Sequence, residues 1–445
     1  MRFGNRRVLA LTAGLAAAAL LTGCGAGTTA SPTPAETDSG EPVTIDFWSW
    51  DPLMQPVVDA FNESQDRITV NYVLQPTNVA MQTNFRNVME SGKDVPCLAR
   101  GFAPLSTSLV NGWAQDITQY VEPVETKFSD GALAAAKLGD KYYGVPTGAD
   151  AKFMMVNEKT LDAAGVEAPK TWEELVETGK ELAPSGVKVI NLAGEDPSTL
   201  INLAQQAGAQ WFTIDGDSWK VNLHGKETLK AADIIQEIVD NDLNSTQTYQ
   251  DRPALYAYFD SGNLATLPTQ WWSLTGLQTN FTQSLGDWEA VPSPQFEGAK
   301  GEPTAGSANA WIVPVGCEHP DAAMNLATFI MTDPEGIEAS RNPDTNAVGV
   351  PVSLKDVAEY SAAVVPDQLF GQSAEEVGEV IAEAQANVIG SFEGGPNYDA
   401  WFPQLQDQWG KVIAKQITVE QALENVEEYI ASDLESKGIS YSVAK

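Results

Sequence analysis

Histidine, cysteine and positive charge are all scarce in this chain. Its 445 residues hold two histidines, three cysteines, and 26 lysines and arginines against 60 aspartates and glutamates, for a formal net charge of −34. His224 and His319 stand far apart in sequence and read as turn residues, which argues against a histidine-built zinc site or a Ser-His-Asp triad. There is no Gly-x-Ser-x-Gly elbow, no Walker-type phosphate loop and no Gly-x-Gly-x-x-Gly, so the usual motif-bearing hydrolases, NTPases and dinucleotide enzymes lose their signatures. Asp215-Gly216-Asp217 lacks the ligand series of a calcium loop and reads as a hairpin turn. No metal and no cofactor are therefore expected. So acidic a chain is no general binder of nucleic acid or anionic lipid. Beyond the N-terminus no long apolar run recurs, while 43% hydrophobic residues and 12 tryptophans describe a soluble globular protein with a large core. The length suggests two domains, possibly three.

The N-terminus is the exception to this acidity. Arg2, Arg6 and Arg7 precede an apolar run from Val8 to Leu21 broken only by Thr12 and Gly14, the pattern of a secretory signal. The run falls short of the ~20 residues that span a bilayer. Leu21-Thr22-Gly23-Cys24 resembles the lipobox of bacterial lipoproteins, which implies cleavage before Cys24 and acylation of its thiol. Gly25 to Pro42 is rich in Gly, Thr, Ser and Pro and cannot bury a core, so it reads as a flexible tether of roughly 20–25 Å r.m.s. span.

From residue 43 the chain alternates. Val43–Trp48 is β-rich, Pro56–Glu63 has helical spacing, Ile68–Leu74 is a strand, Val79–Ser91 a helix, and Val95–Ala99 a short apolar strand. Strand and helix in alternation predict a parallel sheet covered by helices. Ligands in such sheets lie beyond the carboxyl ends of the strands, where Trp48, Trp50, Asp51 and Arg100 fall. Further on, Thr171 with Glu174 three residues later predicts a capping box and a helix to about Leu182. The stripe Phe402, Leu405, Trp409, Val412 and Ile413 predicts a packed helix.

The segment Lys141-Tyr142-Tyr143-Gly144-Val145-Pro146-Thr147-Gly148-Ala149-Asp150, with apolar Phe153–Val156 and Asn157 behind it, resembles the first lobe-to-lobe crossover of bacterial extracellular solute-binding proteins of ABC importers, in the carbohydrate-binding group similar to maltose-binding protein. Pro169-Lys170-Thr171-Trp172-Glu173-Glu174-Leu175, the strand Leu264 to Trp272, Ala305–Val313, His319-Pro320-Asp321-Ala322-Ala323, Val348-Gly349-Val350-Pro351 and Ile417–Leu423 continue the likeness in order across nearly all of residues 43 to 430. The third strand departs from it, reading Val95-Pro96-Cys97 where the family has Pro-Asp-Val or an apolar pair.

The resemblance implies a two-lobed periplasmic-binding-protein-like (type II) α/β fold, each lobe a mainly parallel sheet flanked by helices, with a hinged cleft between. It divides the chain into a signal peptide (1–23), a lipidated tether (24–42), a first lobe (43–148 with 307–355) and a second (149–306 with 356–445). Hinges are expected near Thr147–Ala149, Thr304–Ser307 and Leu354–Ser361. In the implied first lobe the return strand Ala310–Val315 runs antiparallel to 95–99, which implies a Cys97–Cys317 disulfide; buried separate thiols are the alternative.

A sugar offers an apolar face of C–H groups and an edge of hydroxyls, so its site wants aromatic platforms with planar donors and acceptors. Trp271 and Trp272 are the expected platform, Trp271 ahead of its neighbour. One of Trp48 and Trp50 is expected at the cleft while Phe47 packs inside. Asp51 and Asp150 are the carboxylates assigned to hydroxyls, although Asp51 before Pro52 also suits a turn. Arg100 either donates to the ligand or pairs with an acid. Asn309, Trp311 and Tyr398 complete the set, with Trp401 as a further cleft candidate; Trp113 and Trp172 read as packing. The implied function is a lipid-anchored, monomeric receptor at the extracytoplasmic face that captures a carbohydrate for ABC permease subunits, without catalysis. A surface glycoside hydrolase, which needs only two carboxylates, is the alternative that 60 acids leave open.

Overall fold

A computed structural model describes residues 41–101, 105–147, 150–307, 311–349, 360–389 and 394–444. Cys24 and Asn309 lie outside them, as do the signal segment and most of the third expected crossing. In strand β1 (Val43–Ser49) the side chains of Ile45, Phe47 and Ser49 are buried and alternate with the opposite face, the period of two that a strand imposes. Helix α1 (Met54–Ser64) turns Met54, Val57, Val58 and Phe61 inward and returns the chain to β2 (Ile68–Leu74). β2 pairs in parallel with β1 from Val43–Ile68 to Ser49–Leu74. Helix α2 (Asn78–Ser91) is capped by the Thr77 side chain and stopped by Gly92.

Strand β3 is shorter than expected, with only Leu98 and Ala99 paired. Pro96 brings no amide hydrogen to a ladder. The return strand Trp311–Ile312 then lies antiparallel between β3 and the strand Gly144–Val145. Cys97 and Cys317 are joined by a disulfide, their Cα atoms 4.7 Å apart. Gly316 makes this geometry available, because its φ of +106° is one that other residues adopt at a cost.

The second sheet is built around Phe153–Asn157, whose five side chains are all buried. It pairs antiparallel with Thr266–Thr269 on one side and Trp288–Val291 on the other. Parallel ladders in the second lobe are confined to short strands, Ile190–Asn191 with Asn244–Ser245 and Ser218–Val221 with Tyr441–Val443, so the parallel expectation holds for β2, β1 and β3 of the first lobe and narrows in the second. The unbroken apolar run Phe-Met-Met-Val follows from burial on both faces. Phe153 and Met155 join the apolar cluster shared with the first sheet, while Met154 and Val156 join a separate one. Helices Trp172–Leu182, Lys226–Asp240, Tyr398–Ile413 and Val419–Ser436 cover that second face. The Thr171–Glu174 capping box is formed, and Thr418–Gln421 makes another. The hairpin Phe212–Asp215 with Ser218–Val221 turns at Gly216-Asp217. Two crossing segments meet as Asp150–Ala151 against Gly306–Ser307. Among the described residues no helix is long and apolar enough to cross a membrane.

Candidate functional site

At the carboxyl ends of β1 and β3 a cavity of about 310 Å³ opens between Trp50, Asp51 and Arg100, which follow those strands, and Trp271, Trp272, Thr275 and Gly276, on the helical turns that follow the strand Thr266–Thr269. Its volume is at the lower edge of ligand sites, roughly 300–1,000 Å³. Arg100 donates from Nη1 to Asp51 Oδ2 at 2.9 Å, and its guanidinium lies 4.8 Å from the Trp50 ring centre. Asp51 Oδ1 also accepts the Leu53 amide, 3.0 Å away, so the turn and the ion pair share one carboxylate. The Tyr72 hydroxyl donates to the Asp51 carbonyl, and burial pushes its pKa up to about 12. A cation stacked on an indole and paired to a carboxylate is a polar edge fixed before any ligand arrives.

Asp150 reaches this cavity through Trp271, whose indole N–H donates to Oδ1 at 3.0 Å. Burial lifts the Asp150 pKa to about 6, against the pull of Lys152, Arg100 and the Trp271 hydrogen bond. Lys152 is shifted down by burial, with Asp150 and Asp196 opposing, and it donates to Gln270. The raised carboxyl means that between its ordinary 3.8 and about 6 the folded protein holds more protons than the unfolded chain. Its contribution to stability is thus full below the lower value and lost as pH rises through the upper. Asp150→Asn keeps an acceptor for Trp271 and removes the titration. The wild-type melting midpoint is expected to fall relative to that of the variant across this window, and parallel pH profiles would rule the effect out.

A second cavity, about 260 Å³, lies between α2 and the helix Tyr398–Ile413. Gln82, Arg86, Thr107 and Trp113 face Tyr398, Asp399 and Phe402 there. Tyr398 stacks on Phe402 with ring centres 4.8 Å apart; burial raises the pKa of its hydroxyl, and the charges of Asp399 and Asp196 add to the rise. Arg86 and Asp399 bridge the two sides at 3.4 Å, both about half exposed. Such a pair is worth under ~1 kcal/mol, so Asp399→Ala is expected to leave the melting midpoint nearly unchanged. A loss well above that value, or one insensitive to salt, would make the bridge structural.

The expected residues divide. Trp50, Asp51, Arg100, Trp271 and Trp272 line the first cavity, and Tyr398 the second. Trp48 does not line the first cavity; it packs beside Met81, Phe85 and Ile312 on the α2 face. Trp311 is 3% exposed, with its ring 5.2 Å from that of Phe47, a core position. Trp401 is corrected in the same way: it is 1% exposed and spends its indole N–H on the Gly394 carbonyl. Trp271 is 5% exposed and Trp272 47%, so the accessible indole is the second of the pair. Arg86 and Lys152 escaped the sequence reading, which assigned Trp113 to packing. Trp113 stands three residues past the short helix Leu105–Val110 and meets Phe85 edge-on, a packing contact that masks its place at a cavity. A larger cavity of about 600 Å³ sits in the second lobe beside Gln205, Trp211 and Phe296 and shares no residue with the other two.

Two helix-flanked sheets joined by paired crossing strands, with an aromatic cavity between them at the strand ends, define the type II periplasmic-binding-protein-like fold. The chain belongs to the family described as bacterial extracellular solute-binding protein, whose model matches residues 49–337. It is accordingly a binding protein and not an enzyme. It is 25% identical over 225 residues to an arabinooligosaccharide-binding protein of Halalkalibacterium halodurans, a match covering 49% of this chain and 50% of that protein; the chain thus spans half the length of this relative. It is 23% identical over 348 residues to a lactose-binding protein of Rhizobium radiobacter, covering 74% and 79%. Among solved structures, it resembles the galacto-N-biose/lacto-N-biose I-binding protein of the ABC transporter from Bifidobacterium longum, with a TM-score of 0.77 and 22% identity over 91% of this chain and all of that one.

Proposed function

We propose that the chain is a lipid-anchored, monomeric receptor that encloses a sugar or oligosaccharide between its lobes and delivers it to the permease of an ABC importer. The observation that carries the carbohydrate reading is the cavity in which Trp50, Trp271 and Trp272 stand around the Asp51–Arg100 pair. Ring faces suit the C–H side of a pyranose, and a fixed carboxylate–guanidinium edge suits its hydroxyls. The names of the relatives agree with this chemistry. Residues 43–148 with 307–355 form the first lobe in this reading, and 149–306 with 356–445 the second. Closure bends the crossings near 147–149, 304–307 and 354–361, and it responds to ligand because the closed form gains contacts from both sides. Cys24 carries the acyl anchor, and residues 25–42 hold the receptor clear of the membrane.

Calorimetry of the chain from residue 25 onward against a panel of neutral di- and oligosaccharides tests this, with chromatography of the same mixtures. Saturable one-to-one binding and unchanged glycans are expected. Shortened products would restore the glycoside hydrolase, and silence across the panel would remove the sugar. For the anchor, Cys24→Ala is expected to move the expressed protein from the membrane fraction to the medium.

A further inference from the structure

Three side chains that play no part in the cleft converge on the outer face of the second lobe. His224 lies in the turn between the strand Ser218–Val221 and the helix Lys226–Asp240. Glu420 and Glu424 are four residues apart on the helix Val419–Ser436 and so share one of its faces. His224 Nε2 stands 3.2 Å from Glu420 Oε1 and 3.7 Å from Glu424 Oε1. One ligating atom from each residue falls within 4.8 Å of the other two.

The turn that presents the imidazole is pinned to the same helix. Glu427 Oε2 accepts the backbone amides of Leu223 at 2.7 Å and His224 at 3.2 Å. Gly225 closes the turn without a side chain, since a Cβ there would come within 2.7 Å of Asn222 Oδ1. The histidine is therefore held over the two carboxylates by its backbone and not only by its own contact with them. Among the ion pairs of the described residues, Glu420 and Glu424 meet no lysine or arginine, and His224 is their one basic neighbour.

We propose that His224, Glu420 and Glu424 form a surface site for a transition-metal dication, zinc by ligand chemistry, that ties the turn at 222–225 to the helix Val419–Ser436. Imidazole with carboxylates suits zinc, whereas calcium seeks six to eight oxygens and magnesium a nearly octahedral oxygen shell. Zinc bonds of about 2.0–2.2 Å in a tetrahedron set neighbouring ligand atoms roughly 3.3–3.6 Å apart. The His224 separations of 3.2 Å to Glu420 and 3.7 Å to Glu424 bracket that range, and Glu424, more than half exposed, adjusts by rotating. Three protein ligands leave the fourth position to water. No residue of the site lines either cavity between the lobes, so metal bound here adds stability without entering the sugar site. Distance along the chain hid the cluster from the sequence: the histidine and its carboxylates are about two hundred residues apart, and two isolated histidines predict no centre.

Equilibrium dialysis of the chain, carrying no histidine tag, against zinc chloride with metal analysis tests the site. One zinc per chain is expected for the wild type and for His319→Ala, which removes the other histidine. His224→Ala and Glu424→Gln are expected to weaken binding at least about tenfold while leaving the metal-free melting midpoint in place. Zinc should raise the wild-type midpoint, chelation should reverse the rise, and calcium and magnesium chloride should produce none. Equal zinc uptake by the wild type and His224→Ala overturns the site, as does no uptake by the wild type. A calcium or magnesium response equal to that of zinc overturns the choice of metal.

Discussion

Replacing both cysteines, Cys97→Ser with Cys317→Ser, is expected to lower unfolding stability by about 4–5 kcal/mol. The bridge closes a loop across 220 positions, and the entropy it removes from the unfolded chain grows with the logarithm of that length. Its location sharpens the expectation. The chain leaves the first sheet after Gly144–Val145, builds the second sheet, and returns as Trp311–Ile312, so the whole excursion lies inside the covalent loop. While the bond holds, opening of the second lobe does not release the return strand, which stays tethered beside its partners Ala99 and Gly144–Val145. Denaturant unfolding of wild type, double variant and dithiothreitol-treated wild type measures this. The last two should coincide, with binding retained where both fold. A loss below about 1 kcal/mol would mean that the reduced chain already holds these ends together.

How far the sequence foretells this molecule depends on the range of the interactions involved. Ile68–Leu74 is a strand over its expected span, and the Thr171–Glu174 box starts its helix where expected, because alternation and capping are settled within a few residues. β3 shrinks to Leu98–Ala99 through its local proline, which apolarity alone does not reveal. Tryptophans are harder to place. Trp311 and Trp401 are buried, while Trp113 borders a cavity, and the same residue type serves either role. What separates them is which helix comes to lie opposite. The resemblance to solute-binding proteins supplied that long-range information for the lobes, and no periodicity supplied it for Arg86, Lys152 or His224.

The tryptophan pair gives the other large effect, and its two members are expected to fail differently. Trp271 is nearly inaccessible, packs in the cluster that spans both sheets, and gives its indole N–H to Asp150. Trp271→Ala is therefore expected to cost about 3–5 kcal/mol of stability from the cavity alone. The buried Asp150 carboxyl left without its donor adds roughly 1–3 kcal/mol. Trp271→Phe keeps most of the bulk and loses only the donor, so it should show the smaller cost and push the Asp150 pKa above its present value of about 6. Trp272 is half exposed at the same cavity. Trp272→Ala should leave stability within ~0.5 kcal/mol and weaken the sugar by about 1–2 kcal/mol, five- to thirtyfold. Melting and calorimetry on the three variants separate packing from stacking. Undiminished affinity in Trp272→Ala, with loss in a folded Trp271→Phe, would return the platform to Trp271. That outcome would also require the closed lobes to turn its ring toward the guest, because in the present arrangement its edge is spent on a carboxylate.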